Sequence, residues 1–145
     1  MAPFLYIYRA AFLKSINMSK IGSFRELIVY QKAYKLAMEI FEISKMFPKE
    51  ERYSLTDQIR RSSRGVTGAL AEGWAKRRYI KMFVLKQSDS LGEEFETEQW
   101  LDYCRDCKYI TFGIHDRLMR EYDEVRRMLI SMMNNPEKFC RNEER

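Results

Sequence analysis

"SFRELIVYQKAYKLAMEIFEISKMFP", residues 23–48, decides the fold. Ser23 followed three residues later by Glu26 is a capping-box spacing, in which each side chain can satisfy a backbone amide that the first turn of a helix leaves open. It predicts a helix starting near Phe24. Leu27, Tyr30, Tyr34, Ala37, Phe41 and Ser44 recur at three- and four-residue intervals, flanked by Ala33, Ile40 and Phe47, while Lys32, Lys35, Glu39 and Glu42 fall opposite. That period gives the helix one apolar face to bury. Pro48 ends it, because proline lacks the amide and clashes with the preceding turn.

Three more helical patterns follow. The second, from about Ser54 to Glu72, surrounds Ile59, Val66 and Leu70 with Ser62, Ser63, Gly65, Thr67, Gly68, Ala69 and Ala71, so a neighbouring helix can approach closely. Gly65 and Gly68 each cost about 1 kcal/mol of helix propensity relative to alanine, which packing has to offset. Gly73 is expected to stop this helix as a left-handed cap. The third, about Arg78 to Cys107, draws its apolar content from Phe83, Leu91, Phe95, Trp100, Leu101 and Tyr103; the fourth, after Thr111, has a stripe of Ile114, Leu118, Tyr122, Val125, Leu129 and Met133 and closes at the "NNP" of 134–136. No strand-like alternation competes. The expected fold is all-α, an antiparallel up-down four-helix bundle with short loops. Its expected limits are 23–135, with an extension over 1–22, in which Met18 offers an internal start, and a charged tail over 136–145.

A chain of 145 residues fits one domain. A net charge of +5 favours anionic partners. Three cysteines without a secretion signal argue against a disulfide framework and place the chain in the cytoplasm, and no stretch is long and apolar enough to span a membrane.

Positive charge concentrates in 58–83, where Glu72 is the single acid. Arg60, Arg61 and Arg64 sit on the second helix, whereas Lys76, Arg77 and Arg78 fall at a turn, with Lys81 and Lys86 following. Asp89, Glu93, Glu96 and Trp100 are spaced by four, three and four residues, which puts three carboxylates on one helical stripe with an aromatic anchor. Trp100 is expected to be buried, with the acids at its margin. Pairing of those acids with Arg60, Arg61 and Arg64, within the bundle or between subunits, competes with separate solvation of both groups. The turn-centred cations Lys76, Arg77, Arg78, Lys81 and Lys86, beside Trp74 and Tyr79, are suited to phosphates with a ring stacking on a base; the alternative is a solvated helix start.

Metal and catalytic readings find little. A di-iron bundle needs Glu-x-x-His pairs, and the one histidine, His115, has Phe112 three residues before it and reads as a helix-end or surface residue. Cys104 and Cys107 form a lone C-x-x-C on a helix, explained by packing. No phosphate-binding glycine loop or nucleophile elbow occurs. No catalytic residue, metal ligand or cofactor is therefore assigned.

Several segments resemble the bacterial four-helix bundle protein family, which includes proteins encoded in intervening sequences of 23S rRNA genes and the accessory variability determinants of diversity-generating retroelements. They are "FRELIVYQKAYKLAMEIF" at 24–41, "FPKEERYSLTDQIRRSSRGV" at 47–66, "LAEGWAKRRY" at 70–79, and Ser88, Asp89, Glu93, Glu96, Thr97, Trp100 and Leu101 of the third helix. Ala69 stands where many relatives have Asn, and Thr67 where many have Pro. The resemblance implies a short-looped bundle, a ring-shaped homopentamer and, for retroelement members, a basic surface that binds nucleic acid and a reverse transcriptase. The expectation is a non-enzymatic, self-assembling bundle that binds RNA, DNA or a reverse transcriptase through a repeated basic surface; the rival is a purely structural or protein-interaction module.

Overall fold

The computed structural model describes residues 21–140; the expectations for residues 1–20 and 141–145 lie outside the described residues. Four α-helices carry the fold: α1 Ile28–Ser44, α2 Leu55–Ala75, α3 Ile80–Asp106 and α4 Phe112–Asn134. Among the described residues there is no strand. α3 packs on α2 and α4, and α1 closes the bundle against α2 and α4. The α1–α2 and α3–α4 connections share one end, where the Phe47 and Tyr109 rings lie 5.5 Å apart. At the other end Phe139 stacks on Phe83 at 6.0 Å, so the chain beyond Asn134 starts as packed structure rather than tail.

The capping signals act with local differences. Ser23 caps a 3-10 turn, Phe24–Glu26, by accepting from the Arg25 amide at 3.2 Å, while Glu26 accepts from Gly22 rather than from Ser23, and the α-helix itself starts four residues later than Phe24. Thr111 accepts from the Ile114 amide at 3.1 Å and starts α4 as expected. The chain leaves α3 through Lys108, whose φ of 63° is left-handed, with the Tyr109 amide returning to the Cys104 carbonyl at 2.8 Å. A residue with a Cβ gives up roughly 1–2 kcal/mol there.

Gly73 does not act as a left-handed cap. None of the described glycines has positive φ, and α2 continues past Gly73 to Ala75. Gly73 is buried against α3, where a Cβ would collide with Gln87 Nε2 and stand 3.1 Å from Lys86 Cβ. Gly65 has a similar place, with a Cβ there 2.6 Å from Glu93 Cδ. These two glycines let α3 lie close on α2.

The core face of α1 is turned from the expected one. Val29, Ala33, Leu36, Ala37, Ile40 and Ser44 are buried, while Tyr34 is 51% exposed. α4 follows its expected stripe through Leu118, Tyr122, Val125 and Leu129, with His115 and Met132 also buried. α3 departs most. Phe83, Gln87, Ser90, Glu94, Thr97, Leu101 and Cys104 face the core, whereas Phe95 and Tyr103 are exposed. Its polar middle is stitched to α2: Ser90 Oγ donates to the Val66 carbonyl at 2.8 Å, and Thr97 Oγ1 lies 2.9 Å from Ser62 Oγ.

Candidate functional site

The turn between α2 and α3 brings part of the expected basic group to the surface. The Lys76 amide donates to Gly73 O at 3.0 Å and the Tyr79 amide to Lys76 O at 2.8 Å, a tight reversal that leaves Arg78, Tyr79, Ile80, Lys81 and Met82 exposed in sequence. Lys76 and Arg77 are half-buried. The Arg77 guanidinium covers the Trp74 ring at 3.5 Å from its centre, and its Nε donates to the Trp74 carbonyl at 3.0 Å. Trp74 itself packs on the core. One face of that ring is thus occupied, and Tyr79, 56% exposed, is the aromatic side chain this turn offers to solvent.

Lys86 belongs to a different arrangement. Its Nζ bonds Glu72 at 2.7 Å across the α2–α3 contact and lies 3.6 Å from Asp89. The hydrogen bond and charge of Glu72 raise the Lys86 pKa, and Lys86 in turn lowers that of Glu72. Lys86 therefore acts as a tie between α2 and α3.

The second expected group separates. Arg60 donates from Nε to Ser44 Oγ at 2.7 Å and lies over Phe41, which Arg64 also approaches, so both turn toward α1. Arg61 pairs with Asp57 one turn back at 3.0 Å. The three acids do converge, lining with Gly65, Gly68 and Gly92 a groove of about 510 Å³ between α2 and α3. Glu96 accepts from Trp100 Nε1 at 3.3 Å, and burial, reinforced by Glu96 and Asp89, raises the Glu93 pKa. Trp100 is half-buried and its ring lies 5.6 Å from that of Tyr103. Within one chain Arg60 and Arg64 thus turn toward α1, away from these acids, and Arg61 is paired with Asp57 instead of with them.

Charged groups that sequence reasoning passed over do join helices. Arg126 of α4 bonds Glu98 of α3 at 2.9 Å and also Asp123, beside a fully buried Glu94. Arg117 pairs with Glu39, and Lys32 with Glu124, tying α4 to α1. His115 is buried rather than superficial, with Nε2 2.8 Å from Asp102 Oδ1. A signal for Glu94 was present: positions 83, 87, 90, 94, 97, 101 and 104 keep helical spacing once polar residues are allowed on it.

The comparison with known families falls on this same architecture: the model of the 23S rRNA-intervening sequence protein family matches residues 25–131, which take in α1, α2, α3 and most of α4. The chain belongs to that family. As a member of the 23S rRNA-intervening sequence proteins it carries the α2–α3 turn, the acidic groove and the Arg126 cluster all within the matched span. Its fold is similar to that of a crystal structure described as a protein with unknown function from the S23 ribosomal protein family of Bacteroides thetaiotaomicron. That likeness has a TM-score of 0.66 at 24% identity, covering 74% of this chain and 96% of the other. No curated protein matches. Among the described residues no helix is long and apolar enough to cross a membrane.

Proposed function

We propose that this 23S rRNA-intervening sequence protein is a cytoplasmic, non-enzymatic, self-assembling bundle that binds single-stranded RNA or DNA at the α2–α3 end. The observation that carries this reading is the exposed run Arg78, Tyr79, Ile80, Lys81 and Met82, which sets two cations around an aromatic ring on a tight turn. Cations neutralise phosphates and release their counterions, while a ring such as Tyr79 stacks on a base of any identity. Lys76 adds charge at the base of the turn, and Arg77 holds Trp74 in place beneath it. The position of Arg78 and Lys81 at the start of α3 supports the reading, since cations there oppose the helix dipole and are favoured by an external anion.

Self-assembly is supported by apolar surface on two helices. Leu85, Phe95 and Tyr103 of α3 and Tyr34 and Met38 of α1 are exposed large side chains that a second copy can cover. We take the assembly to be a homopentamer, in which the basic turn repeats, with a reverse transcriptase as the protein partner of such a ring. Fluorescence anisotropy of labelled single-stranded oligonucleotides, titrated between about 50 and 200 mM salt, tests the nucleic-acid reading, which expects affinity to fall steeply with salt. Absence of binding at the lowest salt would leave the rival, a structural or protein-interaction module.

A further inference from the structure

The seam between α3 and α4 encloses polar groups that no donor in the described chain satisfies. Glu94 and Tyr122 are fully buried; no donor in the described chain reaches either carboxyl oxygen of Glu94, whose side-chain hydrogen bond is with another acid, Glu98, and the Tyr122 hydroxyl has no partner. The neighbouring core-facing hydroxyls, Ser90 and Thr97, are both bonded to α2. Native interiors rarely leave such groups unpaired, so each calls for an explanation.

The surroundings of Glu94 are strongly asymmetric in charge. α3 contributes Glu98 one turn on, and α4 contributes Tyr122, Asp123 and Arg126. Arg126 is engaged by Glu98 at 2.9 Å and by Asp123, so its donors are directed at those two acids. α1 contributes Glu39, which acts on Tyr122 and is itself held by Arg117. At this level, set by the Ser90–Val66 and Thr97–Ser62 contacts, the buried side chains of α2 are Ser62, Ser63 and Val66, none of which titrates at ordinary pH. Burial, and after it Glu98, push the Glu94 carboxyl up to about 9. Burial together with Glu94 and Glu39 raises the Tyr122 hydroxyl as well.

We propose that Glu94 is a pH-sensitive latch on the α3–α4 seam, closed while it keeps its proton and released when it loses it. A carboxylate there would be a third acid beside Glu98 and Asp123 around one guanidinium, with no donor of its own. Opening the seam to water removes that conflict, and the Arg126 cluster at its edge is the place where water enters. The folded state holds the proton to higher pH than the unfolded chain, where a glutamate titrates near 4.5. The group's contribution to stability is therefore complete below about 4.5, declines as pH rises toward about 9, and is constant beyond. Within that window the folding equilibrium loses up to about ten-fold per pH unit.

Native-state hydrogen exchange on the full chain, read by mass spectrometry and corrected for the chemical exchange rate, tests the latch at pH values between about 5 and about 9. In the wild type, peptides covering 87–98 and 118–129 should lose protection with rising pH before those of α1 and α2, and Glu94→Gln should abolish that difference. Identical pH profiles in wild type and variant would overturn the latch, as would an equal loss in all four helices. Glu94→Met, neutral and of similar length, is read in the same way. Failure of both variants to fold would also count against it, since the closed state requires only a neutral side chain of that size.

Discussion

Thr97 Oγ1 of α3 lies 2.9 Å from Ser62 Oγ of α2, both fully enclosed by the bundle. The two hydroxyls meet because α2 presents small residues along the contact, and they fix the register of α3 on α2. Thr97→Val keeps the shape and removes one partner, leaving the Ser62 hydroxyl in the core with only a long contact to Ile59 O at 3.4 Å. We expect a loss of about 1–2 kcal/mol by urea denaturation. The double variant Ser62→Ala with Thr97→Val should lose less than the two single losses added together. Strict additivity would show the pair to be uncoupled.

The two glycines of the α2–α3 contact should respond oppositely to alanine. At Gly73 the new methyl meets Gln87, whose amide is fully buried and has little space to yield, and we expect a loss of roughly 1–3 kcal/mol. At Gly65 the obstacle is the half-exposed Glu93 side chain, which can swing outward. There the gain in helix propensity, about 1 kcal/mol, should be largely retained. Thermal midpoints moving in the same direction in both variants would contradict this reading of the glycines.

Arg126 should matter far more than Arg61. Arg126→Gln leaves Glu98 and Asp123 facing each other beside buried Glu94, and a loss of roughly 2–4 kcal/mol is expected for a part-buried cluster. Arg61, paired within its own helix and largely exposed, should change stability by under about 0.5 kcal/mol when made Gln. Chemical denaturation of the two variants side by side decides it, and similar losses would place the stabilising charge elsewhere.

The helices and their order were legible from punctuation: Ser23, Pro48, Thr111 and the "NNP" at 134–136 each lie within a few residues of an observed boundary. α4 was legible through Leu118, Tyr122, Val125 and Leu129, where its core stripe is formed by large, mostly apolar side chains; at its ends His115 and Met132 are buried in place of the expected Ile114 and Met133. α3 was not, because its buried face is polar at Gln87, Ser90, Glu94 and Thr97 while Phe95 and Tyr103 point outward, so hydrophobicity selects the wrong side. Gly73 misled for a related reason: a glycine near a helix end reads as a cap, yet its role here depends on a helix further along the chain. The same three-dimensional information separates Trp74 and Lys86 from the basic turn. Composition groups them with Arg78 and Lys81, but packing places Arg77 on the Trp74 ring and Glu72 on Lys86.

Assembly through exposed apolar surface predicts a change in mass without a change in fold. Light scattering of the wild type at micromolar concentration should give five chains per particle. Phe95→Glu with Tyr103→Glu should reduce that number, while helicity by circular dichroism is kept, because both rings are about half exposed in one chain, at 50% and 53%. A monomeric wild type would dismiss the pentamer, and an unchanged particle in the variant would move its interface to another face.

The central claim is that the α2–α3 turn captures nucleic acid by charge. Its most direct test is the salt dependence of affinity for a labelled single-stranded oligonucleotide, compared between wild type and the triple variant Lys76→Gln, Arg78→Gln, Lys81→Gln. Arg77 is left in place because it packs on Trp74. Each phosphate contact removed from a single strand should reduce the slope of log affinity against log salt by about 0.7, so the triple variant should lose up to about 2 in slope. Affinity at low salt should fall by about ten-fold or more, with helicity and particle mass unchanged. Equal affinity and equal slope in the two proteins, both folded and of the same mass, would contradict the account and leave the turn as solvated surface.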